Sequence, residues 1–369
     1  MYRAWIFDAA LLVSFAVGGS TLLADTFTTL APPSASQSRA YGISGSEVSG
    51  YYTDASGNTQ GYIYNGSSYT TIDNSSAVNG TFLRGISGNL VAGYYTNNNG
   101  IYLADHGFIY NTTTSNYTPL NDPLSSINPQ PGGSASYPTG IDGNNAVGYF
   151  IDNNGVDHGF LYNISNNSYI GMHIDPAAPG GVVPYGISGT NVVGYDSDAN
   201  GAYNAFLYST LTDTYSAIND PLANDNPNGG TTALGIDGNY IVGSYQSAAG
   251  KNNGFVYDIL TNTYVTVDYP NGVSPFNTFI TGISGDTVVG YYSKGGKYSS
   301  FEATLSSEIS VVPLPSSAWG GLALIGGCGL LRFIRRKTSR RISTMEIRGP
   351  AGFQLYSIAF KIDLKPSPR

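Results

Sequence analysis

The chain has 369 residues, of which only 11% are charged, with 48 glycines, 30 tyrosines and a single cysteine. Its formal net charge of -8 hides two regions: residues 25–310 carry 5 Lys or Arg against 21 Asp or Glu, whereas residues 332–369 carry 10 against 2. An acidic body argues against a nucleic-acid partner, whose affinity rests on neutralising phosphates, and the lone Cys328 leaves that body without a disulfide framework or thiol chemistry.

Residues 1–24 hold one early base, Arg3, and then an apolar stretch ending in small residues. This is the pattern of a secretory signal peptide, and cleavage is expected after Ala24. Asp8 is a charge within the stretch and Leu22 is large for its place before the cut, so a first buried strand or helix is the alternative reading.

Residues 25–310 are rich in aromatic and β-branched residues, which favours short strands over disorder. Six segments begin with Gly-Ile-Ser-Gly or Gly-Ile-Asp-Gly, at Gly42, Gly85, Gly140, Gly186, Gly235 and Gly282, spaced 43 to 55 residues apart. A second strand follows each: "VSGYY" at Val48, "VAGYY" at Val91, "AVGYF" at Ala146, "VVGYD" at Val192, "IVGSY" at Ile241 and "VVGYY" at Val288. A third reads "GYIYN" at Gly61 or "GFLYN" at Gly159, and a fourth reads "YTTID" at Tyr69 or "YVTVD" at Tyr264. Four short strands per period of this length predict an all-β, closed β-propeller of six four-stranded blades, since one unit cannot bury its own apolar face. Another Gly-rich β-solenoid or a sandwich is the alternative. "TFTTLAPP" at Thr26 matches "YVTVDYP" at Tyr264, so the N-terminal strand is expected to complete the last blade and cover its open edge. Glycines such as Gly50 interrupt the second strands and mark bulges or close approach between neighbouring blades. Tyr62, Phe108, Phe160, Phe206, Phe255 and Phe301 share one repeat position, which suits core packing, with a ligand-facing row as the alternative.

These segments resemble HAF-type repeats of exported bacterial proteins, through Gly-Ile-x-Gly, then Val/Ala-x-Gly-Tyr, then "HGFIY" at His106 and "HGFLY" at His158. The resemblance covers roughly residues 40–305 and implies an extracellular β-rich repeat protein rather than a particular activity.

Little in the body points to catalysis. His106 and His158 share a slot filled elsewhere by Gln60, Asn204, Asn253 or Ser299, and a zinc site needs three or four convergent ligands. Asp73, Asp122, Asp175, Asp220 and Asp268 follow the fourth strands as turn residues. A convergent pair among such carboxylates would be needed for glycoside hydrolysis. "DSDANG" places Asp196, Asp198 and Asn200 at the first, third and fifth positions of a calcium-type loop with Gly201 at the sixth, though Asn204 and Leu207 depart from the full pattern. An Asx-rich hairpin turn is the competing reading.

From Val311 to Leu331 no residue is charged, a length that as a helix would just span a bilayer. Arg332, Arg335, Arg336 and Lys337 would then hold the cytoplasmic side. Val312-Pro313-Leu314-Pro315, the Gly- and Ala-rich run from Ala318 to Leu331 and this base cluster together resemble the PEP-CTERM sorting signal. The resemblance implies an exosortase-type processing enzyme as partner and a body transferred to the envelope or an exopolysaccharide matrix. Residues 338–369 continue beyond it as a basic tail, read as disordered or cytoplasmic.

The expected protein is therefore exported, membrane-anchored by its C-terminal helix before processing, and located in the cell envelope or matrix of a Gram-negative-type bacterium. Its expected role is non-enzymatic, structural or in contact with exopolysaccharide or envelope glycans. The alternative is an exported polysaccharide hydrolase or lyase using propeller-face carboxylates. No cofactor beyond calcium is suggested.

Overall fold

The computed structural model describes residues 22–98, 103–122, 125, 136–152, 154–172, 180–270 and 277–307. All belong to the first of the two units into which the chain divides, Met1–Ser310 and Val311–Arg369. Every described element is a strand. β1 (Leu22–Leu30) precedes the repeats. Repeat one contains β2 (Ala35–Ser44), β3 (Glu47–Asp54), β4 (Thr59–Tyr64) and β5 (Tyr69–Ile72). Repeat two contains β6 (Gly80–Ser87), β7 (Leu90–Asn98), β8 (Leu103–Asn111) and β9 (Asn116–Pro119). Repeat three contains β10 (Ser136–Asp142), β11 (Asn145–Ile151), β12 (Asp157–Asn163) and β13 (Ser168–Gly171). Repeat four contains β14 (Val182–Ser188), β15 (Asn191–Ser197), β16 (Tyr203–Ser209) and β17 (Thr214–Ala217). Repeat five contains β18 (Gly230–Asp237), β19 (Tyr240–Gln246), β20 (Asn252–Asp258) and β21 (Thr263–Thr266). Repeat six contains β22 (Asn277–Ser284), β23 (Thr287–Lys294) and β24 (Lys297–Ser307).

Local chemistry sets each repeat. Ser44 pairs with Glu47 across a two-residue hairpin, and Gly45 there has φ of 59°, a value open to glycine at little cost. The aligned aromatics are core: Tyr62, Phe160, Phe255 and Phe301 are fully buried, and Phe108 and Phe206 nearly so. Each lies against a second-strand glycine. A Cβ on Gly50 would stand 2.9 Å from the Tyr62 ring and 2.3 Å from the Arg39 carbonyl oxygen, so these glycines serve close approach. The bulges lie in the first strands instead, where the register shifts between Ala40 and Gly42, Pro138 and Gly140, and Pro184 and Gly186, for example.

The expectation of a closed propeller with six separate four-stranded blades is corrected. The arrangement is propeller-like, but the strands form four separate four-stranded blades and one eight-stranded sheet, and each sheet is open-edged. The cause is a parallel bridge between Tyr203 of β16 and Gly230 of β18, which fuses repeats four and five. Gly230 permits it: its φ is 97°, and a Cβ there would fall 2.0 Å from the Tyr203 carbonyl oxygen. β1 pairs antiparallel with β24, setting Leu30 opposite Ser300. It runs through the expected cleavage point at Ala24, with an irregularity between Ala24 and Thr26.

What passes from repeat to repeat is side-chain hydrogen bonding. The Ser or Asp of each Gly-Ile-Ser/Asp-Gly accepts the N–H of the hairpin glycine in the following repeat. Gly88 donates to Ser44 (3.2 Å), Gly143 to Ser87 (3.1 Å) and Gly189 to Asp142 (2.7 Å). Gly238 donates to Ser188 (3.2 Å), Gly285 to Asp237 (2.7 Å), and Gly45 to Ser284 (3.1 Å), which returns to the first repeat. The third motif residue is therefore Ser or Asp because its own short side chain must accept a hydrogen bond from a backbone N–H.

For the expected transmembrane helix, and with it the membrane-anchored envelope location, the correction concerns the described residues alone. Among the described residues there is no helix, and none is long and apolar enough to cross a membrane. A span needs about 20 consecutive apolar residues, whereas the described strands interrupt every apolar run with Gly, Ser, Thr, Asn or Asp. The segment 311–337 and the sorting residues Val312, Pro313, Leu314, Pro315, Arg332, Arg335, Arg336 and Lys337 lie outside the described residues, as do residues 1–21 and 338–369.

Candidate functional site

Four positions per repeat build one face of the described unit. The first-strand bulge carries Tyr41, Arg84, Thr139, Tyr185, Leu234 and Thr281. A bulge re-aims a side chain beside its strand neighbours, and most of these residues line a narrow channel of about 60 Å³ among the six Gly-Ile segments. Two register pairs away stand cross-strand partners: Arg39 with Tyr51, Phe82 with Tyr94, Tyr137 with Tyr149, Val183 with Tyr195, Thr232 with Ser244 and Phe279 with Tyr291. The third strand adds Tyr203, Asn252 and Tyr298, and the acids Asp105 and Asp157.

The rings form a connected arc. Phe279 stacks on Tyr291 at 4.9 Å, Tyr291 approaches Tyr41 at 5.8 Å, and Tyr41 stacks on Tyr51 at 5.6 Å. Tyr51 meets Phe82 edge-on at 5.0 Å, Phe82 stacks on Tyr94 at 4.7 Å, and Tyr94 meets Tyr137 edge-on at 4.9 Å. Beyond it Tyr185 stacks on Tyr195 at 5.7 Å, and Tyr195 meets Tyr203 edge-on at 4.9 Å. Stacked and edge-to-face pairs of this kind contribute about 0.5–1.5 kcal/mol each beyond burial.

The arc breaks at repeat five. Ser244 stands where the other five repeats have tyrosine, and Thr232, Leu234 and Asn252 supply no ring at the remaining positions. The result is a cavity of about 180 Å³. Tyr185, Tyr195 and Tyr203 stand on one side, Phe279 and Tyr291 on the other, and hydroxyl and amide groups between them. Thr232 and Ser244 share a hydrogen bond at 3.0 Å, and the Gln246 Oε1 accepts from Asn224 at 3.1 Å. Burial holds the phenols of Tyr185, Tyr195 and Tyr291 above their usual range, so these walls are neutral hydrogen-bonding groups. Among the described residues, no carboxylate, histidine, cysteine or base lines this notch. A larger cavity of about 510 Å³ lies elsewhere, between the Gly238 and Gly285 hairpins, and borders on Asp237, Asp286 and Leu305.

The sequence-predicted candidates fall elsewhere. Asp198 Oδ1 accepts the backbone N–H of Asn200 at 2.7 Å and of Ala202 at 2.9 Å. Asp54 and Asp152 do the same for Ser56 and Asn58 and for Asn154 and Val156, so this is the turn of the repeat. Asp196 accepts from Asn204 at 3.3 Å, and Asn200 is exposed. The described residues contain no group of three or more His, Cys, Asp or Glu able to hold a metal. His106 contacts Asn97 and His158 contacts Asp152, in separate repeats. The fourth-strand aspartates do not converge. Asp73 accepts from Thr81, Asp220 is buried with its pKa raised by burial, Asp268 pairs with Lys251 at 2.6 Å, and Asp175 lies outside the described residues. What sequence reasoning passed over was Ser244, visible as the break in "IVGSY" among six otherwise Tyr-bearing second strands.

No protein-family model matches the chain, and no curated protein matches it. Among solved structures it is similar to TolB from Acinetobacter baumannii, at 11% identity and a TM-score of 0.47, covering 74% of this chain and 65% of that one. It is also similar to the SapL1 lectin in complex with alpha methyl fucoside, at 11% identity and a TM-score of 0.47, covering 76% and 99%. A mutant of the Aleuria aurantia lectin in complex with alpha-methyl-L-fucoside matches at 15% identity and a TM-score of 0.42, covering 64% and 80%. These likenesses concern the fold, and the chain spans 65% of the length of that TolB.

Proposed function

We propose that the chain is a non-enzymatic contact protein whose tyrosine face takes a carbohydrate, with one sugar ring seated in the repeat-five notch. The observation that carries this reading is the absence of a ring from all four face positions of repeat five, which leaves aromatic walls around a floor of hydroxyls and amides. A sugar ring offers C–H faces that stack on tyrosine and hydroxyls that exchange hydrogen bonds with Thr232, Ser244 and Asn252. Convergent polar groups in an aromatic-lined concavity are the usual build of a small-ligand site. Neutral walls without an acid–base pair support contact rather than turnover, since glycoside hydrolysis uses two carboxyl groups about 5–10 Å apart.

The test is to screen the full chain on a broad glycan array alongside Ser244→Tyr, which restores the repeat residue and fills the notch. Retention of a glycan by the native chain and its loss in the folded variant is the expected result. An array on which nothing is retained, or a variant that binds as well as the native chain, refutes the reading.

A further inference from the structure

Of the five basic residues between positions 25 and 310, the only two arginines both stand on the tyrosine face. The Arg39 guanidinium carbon lies 3.7 Å over the Tyr298 ring and 5.5 Å from the centre of Tyr291, and its Nη1 donates to the Tyr51 hydroxyl at 2.6 Å. Arg84 lies 3.8 Å over Tyr41, and its Nη2 donates to the Tyr94 hydroxyl at 3.4 Å. Each guanidinium carbon is 5.7 Å from the centre of the Tyr51 ring, so both cations stand around one tyrosine.

This is an unusual place for two like charges. Both side chains are partly buried, and arginine keeps its proton in proteins. Neither has a carboxylate ion-pair partner among the described residues, although the body carries 21 acids. Asp105 on the same face is engaged elsewhere: it accepts from the Tyr137 hydroxyl at 2.8 Å and from Thr96. Ring faces and phenol oxygens compensate the two cations in part, yet each guanidinium has five N–H donors in a planar fork shaped for an oxyanion. Burial raises the Tyr41 phenol, but Arg84 and Arg39 outweigh it and bring that phenol below its usual range.

We infer that Arg39 and Arg84 form an anion subsite, so that the carbohydrate taken by this face is an acidic one, bearing carboxylate or sulfate groups. The inference rests on the carbohydrate reading above and names its ligand class. Tyr291 connects the two places: it is a wall of the notch and also packs beside Arg39. An oligosaccharide seated in the notch and running over Tyr291 brings its next acid group to Arg39, and then to Arg84 across Tyr51. A charge-assisted bidentate contact is the strong form of such recognition.

The test uses the full chain and an array of uronic-acid and sulfated oligosaccharides, each printed beside its carboxyl-reduced or desulfated counterpart. Acidic members are expected to bind at least about tenfold more tightly than their neutral counterparts, the worth of one such contact. Arg39→Gln with Arg84→Gln should abolish that preference while leaving any neutral binding in place. Arg39→Lys, which keeps the charge, should retain part of it, and near-ultraviolet circular dichroism checks that each variant is folded. Equal binding of acidic and neutral members overturns the anion subsite and leaves the notch standing. A preference that persists in the folded double variant overturns it as well. Absence of binding by any member overturns both the subsite and the carbohydrate reading.

Discussion

Ser244→Tyr separates the fold's requirements from those of the site. Ser244 is 4% exposed and faces Thr232 across the β18–β19 pair. The backbone has room for a tyrosine there, because Ser244 lies opposite Gly254 just as Tyr51, Tyr94 and Tyr149 lie opposite Gly61, Gly107 and Gly159. Repeat four shows that a tyrosine can also face a β-branched partner, since Tyr195 pairs with Val183. The substitution loses the Ser244–Thr232 hydrogen bond, about 0.5–1.5 kcal/mol net. It gains a cross-strand aromatic–β-branched pair with Thr232, worth about 0.2–1 kcal/mol. The two nearly cancel, so stability should stay within about 1 kcal/mol and the melting temperature within about 4 °C. The ring occupies a cavity of about 180 Å³, so the affinity for any array-identified glycan should fall by at least about 100-fold. Thermal unfolding and isothermal titration of the same preparations read both quantities. A variant that melts with the native chain and binds unchanged would refute the notch as the site. One destabilised by more than about 3 kcal/mol would refute the equivalence of repeat five with the other repeats.

Further expectations follow from the packing between repeats. Ser284→Ala removes the acceptor for the Gly45 N–H and should cost about 1 kcal/mol in urea unfolding, while Ser46→Ala, on the same turn but exposed, should cost under about 0.5 kcal/mol; equal effects would sink the role assigned to the motif serine. Burial raises the Asp157 carboxyl to about 6, against His158, with Asp152 adding to the rise. The folded state therefore binds that proton more tightly than the unfolded chain, and the associated stability is present below about pH 4 and lost as pH rises through 6. Asp157→Asn should raise stability at pH 7.5 by about 1 kcal/mol, after discounting for solvent screening, with no gain at pH 4; a gain equal at both pH values would contradict this. Removing residues 1–24 leaves the pairing from Thr26–Thr304 to Leu30–Ser300 and should leave a folded monomer, whereas removing residues 1–30 also strips Leu30, 2% exposed, and uncovers the edge of β24. Aggregation of only the shorter form by size-exclusion chromatography is the expected outcome.

Much of the local structure is written in the repeats. Valine-rich pairs such as Val48 and Val288 mark the second strands, hairpin glycines such as Gly45 mark the turns, and Tyr62 and Phe108 mark the core. These are short-range properties, set by side-chain periodicity and by backbone angles open to glycine. The site was less legible. Asp198, which looked like a metal ligand, is a turn acceptor, because an aspartate beside a chain reversal bonds its own backbone first.

By itself, then, the sequence determined an all-β repeat with its turns, since these depend on residues a few positions apart. Tertiary structure decided the rest. It fused repeats four and five through Tyr203 and Gly230, and opened a notch where Ser244 replaces a ring. It also brought Arg39 and Arg84, 45 positions apart in the chain, around one tyrosine. Those outcomes depend on which residues meet between repeats, and such contacts are set by how the sheets pack rather than by any local pattern.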